Sequence, residues 1–147
     1  MRPRPTGTDG FTLVEVLVAF AVLAALGIVV VPSFHRSGQA RMLTDARNLA
    51  AALRITRAAA IAQNRDMTLL LDAERRTFGS EAVPAAALDP GTEIGIEVDE
   101  PYRSGFVAGI RFLPSGRSTG GRIRLANGAS HARLQVIWAT GHVLVED

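Results

Sequence analysis

One carboxylate stands where a charge is most expensive. Glu15 lies four residues into an apolar run that opens at Phe11 and continues from Val16 to Val31 without another charged residue. A charge in hydrocarbon costs roughly 3 kcal/mol or more, so it needs an opposite charge at its own depth. The run supplies none. A new amino terminus at Phe11, made by cutting the chain between Gly10 and Phe11, would supply an ammonium. Gly10 leaves little steric obstruction at that bond. Glu15 is expected to meet such an ammonium mainly on an adjoining helix, during assembly, which makes it a candidate assembly residue.

Other reactive residue types do not gather into a site. The chain has no cysteine, so disulfides, thiol catalysis and cysteine-based metal sites are excluded. His35, His131 and His142 lack metal-ligand spacing and read as surface or turn residues. Ser115 and Ser118 lie in a glycine-rich turn without the strand-turn-helix setting of a nucleophile. Gly116, Gly120 and Gly121 do not open a helix after a strand, so a phosphate loop is not indicated. Glu93, Glu97, Asp99 and Glu100 could bind calcium, yet alternation explains them as a solvated strand face. Arg111, Arg117, Arg122, Arg124 and Arg133 could form a basic patch for DNA phosphates. The simpler reading is a solvated sheet face, and no aromatic residues interleave with them to stack bases. The net charge of +2 gives no general argument for nucleic acid. No cofactor site is recognisable, and an enzyme is not expected.

The elements that must position these residues follow from pattern. The 147 residues suit one small domain plus an appendage. Met1 to Gly10 is short, polar and basic through Arg2 and Arg4. Phe11 to Val31 would be about 31 Å long as a helix, enough to span a bilayer core. A secretory signal is cut after its apolar region; here the plausible cut precedes it, so the run stays in the mature chain. A generic membrane anchor would explain the length equally well, but not Glu15 or the Gly10-Phe11 junction. Arg36, Arg41 and Arg47 beyond the run nearly cancel the orienting effect of Arg2 and Arg4. Pro32 either ends the membrane helix or bends one that continues. Continuation is favoured by residues 35 to 65, where Met42, Ala46, Leu49, Leu53 and Ala60 form one apolar stripe at 100° per residue. Arg36, Arg47, Arg54 and Arg65 share the opposite azimuth, as a solvated row or as a contact for acidic groups on a neighbouring subunit. Asn64-Arg65-Asp66 reads as the helix exit.

The remainder reads as β. Strands are expected over Met67 to Leu71, Arg76 to Phe78, Thr92 to Asp99, Phe106 to Leu113, Arg122 to Leu125, His131 to Ala139 and His142 to Val145. Gly79 to Gly91 reads as a surface loop. Turns are expected at Pro101 to Gly105, at Pro114-Ser115-Gly116, at Asn127-Gly128 and at Thr140-Gly141. Leu134, Val136 and Trp138 are expected on one inward face. Short strands at this spacing suggest an antiparallel sandwich, so the fold class is α+β, a long amino-terminal helix on antiparallel sheets.

The stretch G-F-T-L-V-E-V-L-V-A-F resembles the prepilin signal of type IV pilins and type II secretion pseudopilins. Leu49 to Leu69, Phe112 to Leu125 and V-I-W-A-T-G-H-V from Val136 resemble the H-type branch (GspH, FimT and FimU). The resemblance implies residues 1–10 as a leader removed by prepilin peptidase, with cleavage between Gly10 and Phe11 and N-methylation of Phe11. It implies 11–34 as the transmembrane half of the helix, 35–65 as its amphipathic half and 66–147 as a periplasmic β domain, with the amino end in the cytoplasm. It implies a bacterial inner-membrane protein and a structural role in the type II pseudopilus, with other pseudopilins and the inner-membrane assembly platform as partners. The alternative is a minor type IV pilin acting in pilus assembly or DNA uptake.

Overall fold

The computed structural model describes residues 12–98 and 103–146; the side chains of residues 24–37 and of residue 103 lie outside that description. The expected cut at Gly10-Phe11 and residues Asp99 and Glu100 therefore fall outside the described residues, as do the side chains of His35 and Arg36. The chain divides into two units, Met1–Arg36 and Ser37–Asp147, and each is described by itself.

Helix α1 is Leu13–Ala62. It ends because Asn64 takes a left-handed conformation (φ 49°). Arg65 N–H then donates to the Ala60 carbonyl at 3.2 Å and Asn64 N–H to that of Ile61 at 3.3 Å. This paired closure is a Schellman cap, and asparagine is one of the few residues that tolerates its bend. The exit expected at Asn64-Arg65-Asp66 thus has a backbone cause.

Among the described residues nine strands follow: β1 Met67–Asp72, β2 Thr77–Ser80, β3 Val83–Ala87, β4 Glu93–Glu97, β5 Arg103–Ser104, β6 Val107–Phe112, β7 Gly121–Asn127, β8 Ser130–Val136 and β9 Val143–Glu146. They form two antiparallel sheets, in the orders β3-β2-β1-β6-β5 and β4-β7-β8-β9. The β7–β8 hairpin pairs Asn127 with Ser130, and Gly128 supplies the positive φ (60°) that its two-residue loop requires.

One core joins helix and sheets. The stripe Met42, Ala46, Leu49, Leu53 and Ala60 is buried to 1% exposure or less. It meets Leu69, Leu71, Ile110 and Phe112 of the first sheet and Ile123, Leu125, Leu134 and Val136 of the second. Each large aliphatic side chain buried there contributes about 1.5–3 kcal/mol. Thr56 lies wholly buried inside this face. Its hydroxyl donates to the Ala52 carbonyl at 2.8 Å and bonds the Ser80 hydroxyl at 2.9 Å, which ties the helix to β2.

Three expectations are corrected. The segment Gly79 to Gly91 is not all loop, because Val83–Ala87 forms β3 at a sheet edge. With one neighbour and four exposed residues, this strand needs no alternating pattern, and Pro84 is tolerated on an edge. Arg103–Ser104, inside an expected turn, pairs briefly with β6. Trp138 does not share the inward face of Leu134 and Val136. The strand stops at Val136, the chain turns with Gly141 N–H on the Ile137 carbonyl at 2.7 Å, and Trp138 is left 60% exposed.

Candidate assembly site

Thr12 begins the amino-terminal half. Its hydroxyl accepts the Glu15 N–H at 3.3 Å, and its carbonyl accepts the N–H groups of Glu15 and Val16 at 3.0 and 3.2 Å. Thr12 is thus the N-cap, and Thr12-Leu13-Val14-Glu15 has the T-x-x-E pattern of a capping box. Glu15 sits in the first turn, where the positive end of the helix dipole favours a carboxylate. Sequence reasoning missed this second role, although the T-x-x-E spacing was its signal.

Beyond the cap, Leu13, Val14, Leu17, Val18, Phe20, Val22 and Leu23 are each more than half exposed. Such a continuous apolar surface demands a cover. Among the described residues no helix is long and apolar enough to cross a membrane; the rest of the run lies in residues 24–37, whose side chains are outside the description.

In Ser37–Asp147, polar side chains tether the helix to loops. Asp45 is 9% exposed and accepts the Asp89 N–H and the Thr92 hydroxyl, both at 3.0 Å. Asp89 in turn accepts Gly91 N–H at 2.9 Å and pairs with Arg41 at 3.5 Å. Arg57 donates Nε–H to the Gly116 carbonyl at 3.0 Å. Of the expected arginine row, Arg54 reaches the Val143 carbonyl at 3.2 Å and Arg65 pairs with Glu81 at 2.6 Å, while Arg47 is exposed. The hydrogen bond and the charge of Arg65 hold the exposed Glu81 carboxyl below its ordinary range.

The structure gathers only part of the expected basic patch. Arg122, Arg124 and Arg133 lie together on the outer face of the second sheet, with Arg124 directly opposite Arg133. Acids accompany them: Glu97 lies 3.7 Å from Arg122 and 3.9 Å from Arg124, and Glu146 is registered opposite Arg133. Arg111 belongs to the other sheet and pairs with Asp66 at 3.4 Å. Arg117 stacks over the Trp138 ring at 5.4 Å. Ser118 is spent on structure, accepting Gly120 N–H at 3.1 Å. Among the described residues no three His, Asp or Glu side chains converge as a metal site.

A capped acid opening an apolar helix, followed by a helix-and-sheets domain whose helix is buried along one stripe, defines a pilin-like subunit. The family description "Type II transport protein GspH" matches residues 45–141, and "Prokaryotic N-terminal methylation motif" matches residues 7–31. The chain belongs to the GspH family. It is 30% identical over 136 residues to type II secretion system protein H of Xanthomonas campestris pv. campestris, covering 91% of this chain and 80% of that one. Its fold is similar to the minor pseudopilin EpsH of the Vibrio cholerae type 2 secretion system, with a TM-score of 0.58 at 16% identity over 72% of this chain and 96% of that one. It is also similar to the type IV minor pilin FimU of Pseudomonas aeruginosa, with a TM-score of 0.53 at 13% identity over 72% of this chain and 88% of that one.

Proposed function

We propose that the chain is a structural minor pseudopilin of the type II secretion system. It assembles near the tip of the periplasmic pseudopilus that drives folded proteins across the outer membrane. The observation that carries this reading is the presence, in one chain, of the methylation motif over residues 7–31 and the GspH match over residues 45–141. On this reading prepilin peptidase cuts between Gly10 and Phe11 and the new Phe11 amine is methylated. Residues 11–34 span the inner membrane, 35–65 continue as the amphipathic helix and 66–147 form the periplasmic β domain. Glu15 pairs with the Phe11 ammonium of an adjoining helix. The partners are the other pseudopilins, the peptidase and the inner-membrane assembly platform. The role assigns catalysis to no residue.

Mass spectrometry of the membrane-extracted protein tests the processing. A chain beginning at N-methylated Phe11 is expected. An intact Met1 terminus in cells with active prepilin peptidase overturns the reading. Gly10→Val should block the cut.

The fold likeness to FimU supports a second reading, a minor type IV pilin. The 30% identity to a secretion protein over 91% of the chain weighs more than a 13% likeness. Deletion of the gene discriminates: lost exoprotein release with pili intact supports the first, and the converse supports the second.

A further inference from the structure

We propose that edge strand β9 and the adjoining face of α1 form a docking groove for an extended segment of a neighbouring fibre subunit, with alternating apolar and acidic side chains, that adds to the sheet as a strand. This rests on the pseudopilin reading and names where one contact of that assembly falls.

Among the described residues the two sheets end in four edge strands, β3, β5, β4 and β9. Proteins commonly blunt such edges with proline, charge or short length. Here β3 carries Pro84, β5 has two residues, and β4 presents exposed Glu93 and Glu97. Strand β9 is four residues long and ends in exposed Glu146, but its middle is apolar and open, with Leu144 47% and Val145 37% exposed. Its backbone is also turned for addition. The His142 carbonyl faces β8, accepting Ile137 N–H at 2.9 Å. Alternation along an antiparallel ladder then directs the N–H and C=O groups of Val143 and Val145 away from β8. The Val143 carbonyl confirms that sense, because Arg54 takes it from outside the sheet at 3.2 Å, and an added strand would displace Arg54 from that acceptor.

Beside this edge runs a groove of about 260 Å³ between helix and strand, floored by Leu43, Ala46, Ala50 and Val145 and flanked by Arg47 and Arg54. Charge selects the occupant. Arg41, Arg65, Arg75, Arg111, Arg122 and Arg124 each pair with a carboxylate. Arg47 and Arg54, like Arg57, Arg76, Arg117 and Arg133, have no ion-pair partner among the described residues, and they are the two that flank this groove. They are separated by about 10.5 Å of helix rise, which two carboxylates placed two to four residues apart on an extended strand, about 7–14 Å, can address. Added strands take affinity from main-chain hydrogen bonds and specificity from alternate side chains. An apolar side chain would enter the groove while acids meet the arginines.

The full chain in uncharged detergent micelles provides the test. The probe is the peptide acetyl-Val-Glu-Val-Glu-Val-Glu-Val-amide. One control has Lys for each Glu, and another has Pro for the two central Val residues. Fluorescence anisotropy measures affinity, and hydrogen exchange with mass spectrometry locates the contact. The acidic peptide is expected to bind, to slow exchange of the amides of residues 143–146, and to weaken at high salt. Arg47→Gln should weaken binding by roughly 2- to 5-fold, the size of one lost exposed ion pair. Val145→Glu, at an exposed position, should abolish it. Leu70→Glu, on the outer face of the other sheet, should leave it unchanged. Equal binding of the lysine peptide, undiminished binding of the proline peptide, protection outside β9, no effect of Arg47→Gln, or no binding at all would each overturn the groove. Those outcomes with N-methylated Phe11 and normal secretion reject the groove alone, whereas an uncut Met1 terminus rejects the pseudopilin reading itself.

Discussion

Arg57 and Gly116 join the helix to the far turns of both sheets. Arg57 Nε–H donates to the Gly116 carbonyl at 3.0 Å, and Gly141 of the β8–β9 turn closes on the same spot. A Cβ added at Gly141 would collide with the Gly116 oxygen and lie 2.8 Å from Arg57 Nε. One guanidinium thus holds the β6–β7 turn while a glycine lets the β8–β9 turn approach.

Gly141→Ala should therefore cost more than its backbone strain alone. Gly141 has φ 65°, a conformation that costs a non-glycine residue about 1–3 kcal/mol, and the collision adds to that. Gly105, at φ 59° with nothing within 4 Å of an added Cβ, is the control. Chemical denaturation should show Gly141→Ala the more destabilised of the two by roughly 1–3 kcal/mol, the range for overpacking a close-packed site. Equal losses would show that the turn can yield.

Asp45→Ala removes the acceptor of the Asp89 amide and of the fully buried Thr92 hydroxyl. A buried polar group left without its partner costs about 1–3 kcal/mol. Thermal unfolding should register that loss, and hydrogen exchange should rise at residues 89–92 while the sheet cores stay protected.

The Arg65–Glu81 pair predicts a pH dependence. Because the folded carboxyl is held below its ordinary value near 4.5, the unfolded chain binds the proton first as pH falls. The stabilisation is fully present above that value and is lost as pH falls through the depressed folded one. Stability profiles of wild type and Arg65→Gln should converge at the acid end and separate above it, less so in high salt.

Glu15→Gln separates helix capping from the ammonium pairing proposed for that position. Glutamine can still serve a capping box but offers no charge to an ammonium. The variant should insert and be processed normally yet crosslink poorly to neighbouring pseudopilins, with reduced secretion. Normal crosslinking would leave capping as the whole role of Glu15.

Local pattern alone determined much of this protein. The Gly10-Phe11 junction, the lone acid and the apolar run need no tertiary structure to be read, because a single charge in a long apolar run is anomalous wherever the run folds. The stripe Met42, Ala46, Leu49, Leu53 and Ala60 was legible because one buried face imposes the helix period, and Arg122 to Leu125 because a half-buried strand alternates. Tertiary structure decided what depends on where a chain turns and what it meets. Period-two counting carried Trp138 inward, but the strand ended two residues earlier. Strand β3 left no pattern, since an exposed edge has no face to bury. Asp45 holding Thr92, Arg57 holding Gly116 and Glu97 shared by Arg122 and Arg124 join residues far apart in the chain. Polar groups of that kind take partners by three-dimensional proximity and leave no period in the sequence.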